Sequence, residues 1–231
     1  MTPPAPPPAD PAPALATAAL ALARAFHDGA TLWCWCPTAT SHARHLAVEF
    51  LHPVIVGKRA LPAIAVEAGG GADALRTSVR TGDVVVVVAD GDEPGAVDVA
   101  TRAPAWGLEV IWIATGPAPP AGTAARVVVL GPGAEDADVV CAYHLLWELA
   151  HVCLEHPGVL EGRAESATTC PACMDAGDLG EVERPEGPDA VVTVGGVRQL
   201  VDLSLVEPCG AGELVVVHAG VAIAKLGGTR G

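Results

Sequence analysis

Residues 84–89 have the sequence Val-Val-Val-Val-Val-Ala, and this stretch decides the class of the fold. It lacks the alternation of apolar and polar side chains that a half-exposed strand shows. An unbroken apolar run of this length is typical of a strand buried on both faces of a parallel sheet. A polar loop follows at 90–94, and residues 95–105 have helical spacing. This succession of strand, loop and helix predicts an α/β fold.

The same succession extends along the chain on both sides of this strand. Short apolar runs predict further strands, and stretches with helical spacing predict the helices between them. We therefore expect a doubly wound parallel sheet. The other predicted strands are 30–35, 62–66, 108–114 and 126–130, and the other predicted helices are 14–27, 42–50 and 137–155.

Beyond Gly158 the pattern changes to β-rich runs separated by Gly, Pro and Cys. No helical pattern lies between the runs 190–194, 197–206 and 213–218, so we predict a small, OB-like β-barrel. The predicted organisation is a proline-rich disordered tail at 1–13, an α/β domain at 14–160, a linker at 161–169 and the barrel at 170–228.

Charge and composition exclude several classes of function. The chain has 27 acidic residues against 13 Lys and Arg, a net charge of −14, so no basic surface for nucleic acid or an anionic membrane is expected. The unbroken apolar runs are too short to span a bilayer. Seven cysteines and no signal-peptide pattern favour reduced thiols in the cytoplasm. Cys34, on a predicted strand, and Cys36, two residues later, are expected to pack in the core.

Four stretches of the α/β region stand out. They are His45-Leu-Ala-Val-Glu49-Phe, 58–66 (Lys-Arg-Ala-Leu-Pro-Ala-Ile-Ala-Val), 82–88 and 141–155. These stretches resemble the sugar isomerase (SIS) domain of the phosphoheptose isomerase type, and the likeness covers 14–157. The resemblance implies an SIS fold with a phosphate loop before the second helix, where Thr38, Thr40 and Ser41 offer hydroxyl groups.

Two loops differ from the SIS pattern. The family's first loop is rich in glycine and serine, whereas 35–40 lack glycine and contain Pro37, which has no amide donor. The second loop carries three carboxylates at 90–93, and like charges a few Å apart cost roughly 1–4 kcal/mol per pair. The sequence therefore disfavours phosphosugar binding, although an active SIS-type isomerase with a regulatory barrel is the alternative function.

A pair of potential metal ligands lies on the second predicted helix. His45 and Glu49 are four residues apart, which places them on one helical face, as in the metal and acid/base pair of the SIS family. A third ligand from His144 or His151 would complete a site for zinc or another divalent ion. The other interpretation is a hydrogen-bonded cluster without metal. Because SIS domains commonly pair, the resemblance also implies a homo-oligomer through the last helix.

Two strings in the C-terminal region, 195–206 and 212–226, are distinctive, and Val-His218-Ala-Gly-Val-Ala-Ile is the most specific part of them. Through these strings the region resembles the HypC/HupF/HybG-type hydrogenase maturation chaperones over 169–226. The resemblance implies a chaperone for [NiFe]-hydrogenase that works with a HypD-type scaffold and the large-subunit precursor. Its cargo would be iron with cyanide and carbon monoxide ligands, Fe(CN)2CO. The SIS-like domain would then be a non-catalytic unit for docking or ligand sensing.

An essential cysteine begins proteins of that family, and Cys170-Pro-Ala-Cys173 takes its place in this sequence. Low-valent iron favours a soft thiolate, so we predict Cys173 as the ligand, assisted by Cys170 and by His218. Three other interpretations stay open. The Cys-x-x-Cys motif is also compatible with a structural zinc site or a thioredoxin-like redox pair, and His218 with a histidine that simply ends a strand.

Overall fold

The computed structural model describes residues 10–161 and 177–226. They form two compact units. The first contains 10–77, 84–101 and 110–161, and the second contains 78–83, 102–109 and 177–226. The second unit therefore combines the C-terminal strands with two short segments from earlier in the chain.

The first unit is built on a parallel sheet with helices, as the sequence predicts. Leu32 pairs in parallel with Ala63 on one side and with Val84 on the other, so the central valine strand lies next to the first strand. All six residues of that central strand are buried. The strands are β1 Leu32–Trp35, β2 Ala63–Val66, β3 Val84–Ala89, β4 Glu109–Ala114 and β5 Arg126–Val129, in the order β2-β1-β3-β4-β5.

The strand order places a topological switch point between β1 and β3, and ligands of open α/β sheets bind at the carboxyl ends of such strands. The loops at 36–39 and 90–93 lie at these ends. Among the described residues, six α-helices accompany the sheet. They are α1 Ala12–His27, α2 Thr40–Leu51, α3 Gly71–Ser78, α4 Pro94–Arg102, α5 Asp136–Glu155 and α6 Pro157–Glu161.

Two helices differ from expectation. Helix α3 was not predicted, because its eight residues bury only Gly71 and Leu75 and so show little periodicity. Helix α4 ends at Arg102, three residues before the predicted end, and the buried residues Ala103 and Ala105 lie in the turn that follows.

Helix α5 alone among the described helices is long and apolar enough to cross a membrane by length and composition. Its buried residues include Tyr143, Leu146, Trp147 and Ala150, which belong to the hydrophobic core of the first unit. This burial explains the apolar composition as that of a core helix. Cys34 and Cys36 lie in the same core, as predicted, and burial raises the pKa of the Cys34 thiol.

The second unit contains a closed five-stranded barrel, which confirms the predicted OB-like architecture. Strand β8 ends at Asp202, four residues before the predicted end at 206. The chain turns there because the Asp202 carboxylate accepts the Ser204 N–H at 2.7 Å. The strands are β6 Asp178–Glu186, β7 Asp189–Val194, β8 Val197–Asp202, β9 Leu214–His218 and β10 Val221–Leu226, in the order β10-β8-β7-β6-β9.

The two short segments of this unit contact the β7–β8 turn. Gly196 N–H donates to the Ala105 carbonyl at 2.8 Å, and the Thr81 hydroxyl donates to the Gly195 carbonyl at 3.3 Å. A Cβ atom at Gly196 would lie 2.1 Å from Thr81 Oγ1, and its φ is +79°. Glycine is therefore required at this close approach.

Candidate functional site

A cluster of polar side chains joins α2 and α5 in the first unit. His45 and Glu49 are one turn apart on α2, with His45 Nε2 3.1 Å from Glu49 Oε1. His144 of α5 contributes Nε2, which lies 3.4 Å from His45 Nε2 and 3.5 Å from Glu49 Oε1. The side chains of His45, Glu49 and His144 are 42%, 17% and 45% exposed, so solvent reaches the cluster.

These separations fit a metal site. Two nitrogen or oxygen ligands of a tetrahedral zinc ion, each about 2.0–2.1 Å from it, lie about 3.3–3.4 Å from one another. The three atoms of the cluster are 3.1, 3.4 and 3.5 Å apart. Two imidazoles and a carboxylate are also ligand types that zinc accepts. The donor set and its spacing therefore suit one divalent ion with a coordination position left for solvent.

Tyr143 and His42 also belong to this cluster, and the sequence analysis did not single them out. The Tyr143 hydroxyl is 2.7 Å from His45 Nδ1, and the two rings meet edge to face. His42 Nε2 lies 3.5 Å from Asp136 Oδ1. Burial, and secondarily the Glu49 and Asp136 carboxylates, raise the pKa of Tyr143 to about 12. The phenol therefore stays protonated at neutral pH.

A sequence signal existed for both residues. His42 is three residues before His45 on the same helix, and Tyr143 is adjacent to His144. Neither spacing says that Tyr143 meets His45 Nδ1, or that the His42 ring meets the Tyr143 ring edge to face, so only the packing of α2 against α5 identifies them as members of the cluster.

His151, the other predicted third ligand, lies apart from the cluster. Its Nδ1 is 2.9 Å from the Trp147 carbonyl oxygen, and its Nε2 is 3.1 Å from the Arg59 carbonyl oxygen. The ring is buried and stacks on Phe50. Both ring nitrogens therefore face backbone carbonyl oxygens and not the three side chains of the cluster. The structure thus brings His144, and not His151, to the pair on α2.

The loop that resembles a phosphate loop lies before α2. Thr38 and Ser41 are exposed and Thr40 is the first residue of the helix, whose N-cap is Ala39 without a side-chain cap. Cys36 Sγ lies 3.9 Å from Thr38 Oγ1. The hydroxyl groups of this loop therefore lie at the carboxyl end of the sheet, as expected from the sequence.

In the second loop, at 90–93, two carboxylates already accept hydrogen bonds from neighbouring groups. Glu93 Oε2 accepts the Ala96 N–H at 2.5 Å, which is an N-cap hydrogen bond in the first turn of α4. Asp90 Oδ1 accepts the Thr115 hydroxyl at 2.5 Å. A phosphate at this helix terminus would have to displace Glu93 and lie next to its negative charge.

The Trp35 indole occupies the same end of the sheet. Its ring lies against Gly71 at the start of α3, where a Cβ atom would be 2.2 Å from it. A Cβ at Gly95, in the first turn of α4, would be 3.7 Å from the same ring. The indole therefore lies against the first turns of both α3 and α4.

In the barrel, His218 ends β9 and pairs with Val221 of β10. The two residues between them, Ala219 and Gly220, have φ values of +49° and +81°, as a type I′ hairpin turn requires. The string Val-His-Ala-Gly therefore has a structural role in placing His218 next to a tight turn.

The predicted ligands Cys170 and Cys173 lie outside the described residues. Cys209 is buried in the barrel core, donates to the Glu207 carbonyl at 3.2 Å, and has its pKa raised by burial. It is therefore a packing residue in the described barrel.

Comparison with known proteins finds different relatives for the barrel and for the α/β region. The model of the HupF/HypC family matches residues 177–229, which include the whole described barrel. No curated protein matches the chain. A phosphoheptose isomerase from Francisella tularensis matches with 17% identity and a TM-score of 0.50, over 62% of this chain and 86% of that chain.

Two further solved structures are similar. The Vibrio vulnificus NanR protein complexed with ManNAc-6P has 20% identity and a TM-score of 0.47, over 68% of this chain and 62% of its own. A putative sugar-phosphate isomerase from Listeria monocytogenes has 15% identity and a TM-score of 0.44, over 62% and 75%. The Francisella structure, at its low identity, shows a shared fold, which confirms the predicted SIS-like architecture.

Proposed function

We propose that this chain, which joins a sugar-isomerase-like fold to a HupF/HypC domain, is a hydrogenase maturation factor. The single observation that carries the proposal is the family match at 177–229. In the proposal, the barrel works with a HypD-type scaffold, receives the Fe(CN)2CO unit and passes it to the precursor of the [NiFe]-hydrogenase large subunit. This work would take place in the cytoplasm, where thiols stay reduced.

The proposed cargo ligand is the thiolate of Cys173, with Cys170 as its neighbour. A soft sulfur donor suits low-valent iron with strong-field ligands. His218 is the proposed second contact, because the tight Ala219–Gly220 turn fixes the backbone beside it. An imidazole there can ligate the iron or donate a hydrogen bond to the cargo.

The test is an anaerobic co-purification with a HypD-type scaffold, followed by infrared spectroscopy of the eluate. We expect bands from iron-bound cyanide and carbon monoxide with the wild-type chain, and their loss in Cys173→Ala. Cys141→Ala is the matched control, because Cys141 is exposed on α5. Scaffold binding without bands would contradict cargo transfer, and no scaffold binding would contradict the maturation role.

We also propose that the first unit holds zinc or another divalent ion at His45, Glu49 and His144. The support is the fit of the three separations to one coordination sphere. Such an ion would supply a positive charge and an open position for a small ligand. His45 and His144 would hold it, Glu49 would balance its charge, and Tyr143 would orient the His45 ring. Docking or ligand sensing, rather than isomerisation, is the proposed role of this unit.

The occupied second loop argues against the alternative, an active phosphosugar isomerase. Glu93 already accepts the amide that an incoming phosphate would use.

We finally propose that the chain forms a homo-oligomer through α5, on which Leu145 and Val152 are exposed apolar residues. Light scattering at micromolar concentration that gives the mass of a monomer would contradict this.

A further inference from the structure

The second unit joins two parts of the chain that are distant in sequence. Its strands come from 177–226, and the segments 78–83 and 102–109 come from the α/β region of the sequence. Hydrogen bonds run directly from these segments to the barrel. These bonds need no residue of 162–176, the stretch between α6 and the barrel.

The polar side chains at this contact match in charge. Trp106 Nε1 donates to Glu181 Oε2, and the Arg102 guanidinium lies 3.7 Å from the same oxygen and donates to the Gly212 carbonyl. Trp106 and Glu181 are 5% and 2% exposed, so solvent is excluded from their hydrogen bond. Buried tryptophan and arginine side chains are the anchors that most often dominate binding at protein interfaces.

The backbones approach closely at the β7–β8 turn. Gly196 N–H donates to the Ala105 carbonyl at 2.8 Å. A Cβ atom at Gly107 would lie 2.8 Å from the Gly195 carbonyl oxygen, and one at Gly196 would lie 2.8 Å from the Trp106 carbonyl oxygen. Glycine on both sides therefore lets the two main chains meet without side chains between them. The contact is complementary in shape as well as in charge.

The two segments are also ordered by contacts with one another. Gly82 N–H donates to the Gly107 carbonyl at 2.8 Å, and Glu109 N–H donates to the Asp83 carbonyl at 3.1 Å. The Asp83 carboxylate in turn accepts the Arg80 N–H at 2.9 Å. A surface that is ordered before it binds loses little conformational entropy on binding. The segments therefore present a formed surface to the barrel.

We propose that the barrel residues at this contact form a binding surface, the Glu181 face, which holds segments 78–83 and 102–109 even when the chain is cut between 161 and 177. The residues of the Glu181 face are Glu181, Gly195, Gly196 and Gly212. The occupant of this face is a part of the same chain. Because the segments fill the face, any other protein meets the barrel on its remaining surface, which goes beyond the maturation role.

The test inserts a protease site between 161 and 177 of the full chain, cuts the purified protein and measures whether the two pieces stay together. We expect them to sediment as one complex at micromolar concentration, with the Gly196 amide as protected from hydrogen exchange as in the uncut chain. Arg102→Ala should weaken this complex at least about tenfold, because it removes a charged donor from the contact. Arg44→Ala is the matched control, since Arg44 pairs with Glu67 on the surface of the first unit.

Two results would overturn the inference. One is separation of the wild-type pieces at micromolar concentration after cutting. The other is equal affinity of the pieces in Arg102→Ala and Arg44→Ala, because a different contact would then hold them. If Arg102→Ala unfolds the uncut barrel, Arg102→Lys gives the same comparison with a smaller loss, since lysine keeps the charge. Scaffold binding by the uncut chain is measured separately, so failure here leaves the maturation role standing.

Discussion

Trp106 Nε1 donates to Glu181 Oε2 at 2.7 Å, and both side chains are buried in the second unit. Arg102 lies 3.7 Å from the same carboxylate oxygen and donates to the Gly212 carbonyl at 2.6 Å. A buried carboxylate needs such partners, because leaving it unpaired costs several kcal/mol. Glu181 on β6 thus fastens the segment 102–109 to the barrel.

We predict that Trp106→Phe destabilises the second unit by about 1–3 kcal/mol, because the variant leaves the Glu181 oxygen without its indole donor. Denaturant unfolding, followed by amide signals of the unit that carries each substitution, measures the loss. Trp147→Phe is the matched control, since Trp147 is equally buried and its Nε1 has no hydrogen-bond partner in the described structure. Equal losses in both variants would show that volume, and not the hydrogen bond, matters.

Zinc binding should depend on His144 and not on a neighbouring histidine outside the cluster. We expect His45→Ala and His144→Ala each to lower zinc affinity by at least about tenfold, since each removes one of three ligands. Calorimetric titration of the metal-free chain with zinc measures the change. His52→Ala, at the exposed C-cap of α2, should bind as wild type. Unchanged affinity in His144→Ala would contradict the site.

Tyr143→Phe should weaken zinc binding about 10–100-fold while all three ligands remain. The reason is that the hydroxyl, 2.7 Å from His45 Nδ1, fixes the ring orientation that presents Nε2 to the ion. The tautomer of His45, observed by nitrogen NMR, provides a readout that packing alone does not change. If affinity and tautomer both match the wild type, the hydroxyl has no positioning role.

The raised pKa of Tyr143 predicts that the folded chain loses stability at alkaline pH. Its pKa is raised from 10.0 to about 12 in the folded chain, so the folded state binds its proton more tightly than the unfolded state. The resulting stability is fully present below pH 10 and is lost as the pH rises through 12. The difference in unfolding free energy between wild type and Tyr143→Phe should therefore shrink over this range. A constant difference would contradict the assigned pKa.

Glu93→Ala should destabilise the first unit by about 0.5–2 kcal/mol, because it removes the cap of α4. Glu93→Ser should recover most of that loss, since a serine hydroxyl can accept the same Ala96 N–H. Thermal unfolding measures both variants. Inorganic phosphate and a ketose phosphate should leave the wild-type midpoint unchanged, whereas a rise with either would revive phosphosugar binding at this loop.

Local patterns in the sequence were enough to predict the architecture. The valines of β3 predicted a buried parallel strand, since a strand covered on both faces cannot carry polar side chains. The four-residue spacing of His45 and Glu49 predicted neighbours on α2, because helix geometry alone sets that distance. The string around His218 predicted the barrel family, which the match at 177–229 confirms.

Tertiary packing decided the remaining features. His144 and His151 lie on the same helix, two turns apart, and only the contact of α2 with α5 selects the first for the cluster. The Glu93 cap and the Trp106–Glu181 hydrogen bond likewise join groups whose meeting no periodicity encodes. The sequence by itself determined most of the strands and helices, with α3 as the exception, because burial and backbone geometry act locally along the chain. The tertiary structure decided which side chains meet, because such contacts depend on how distant segments pack.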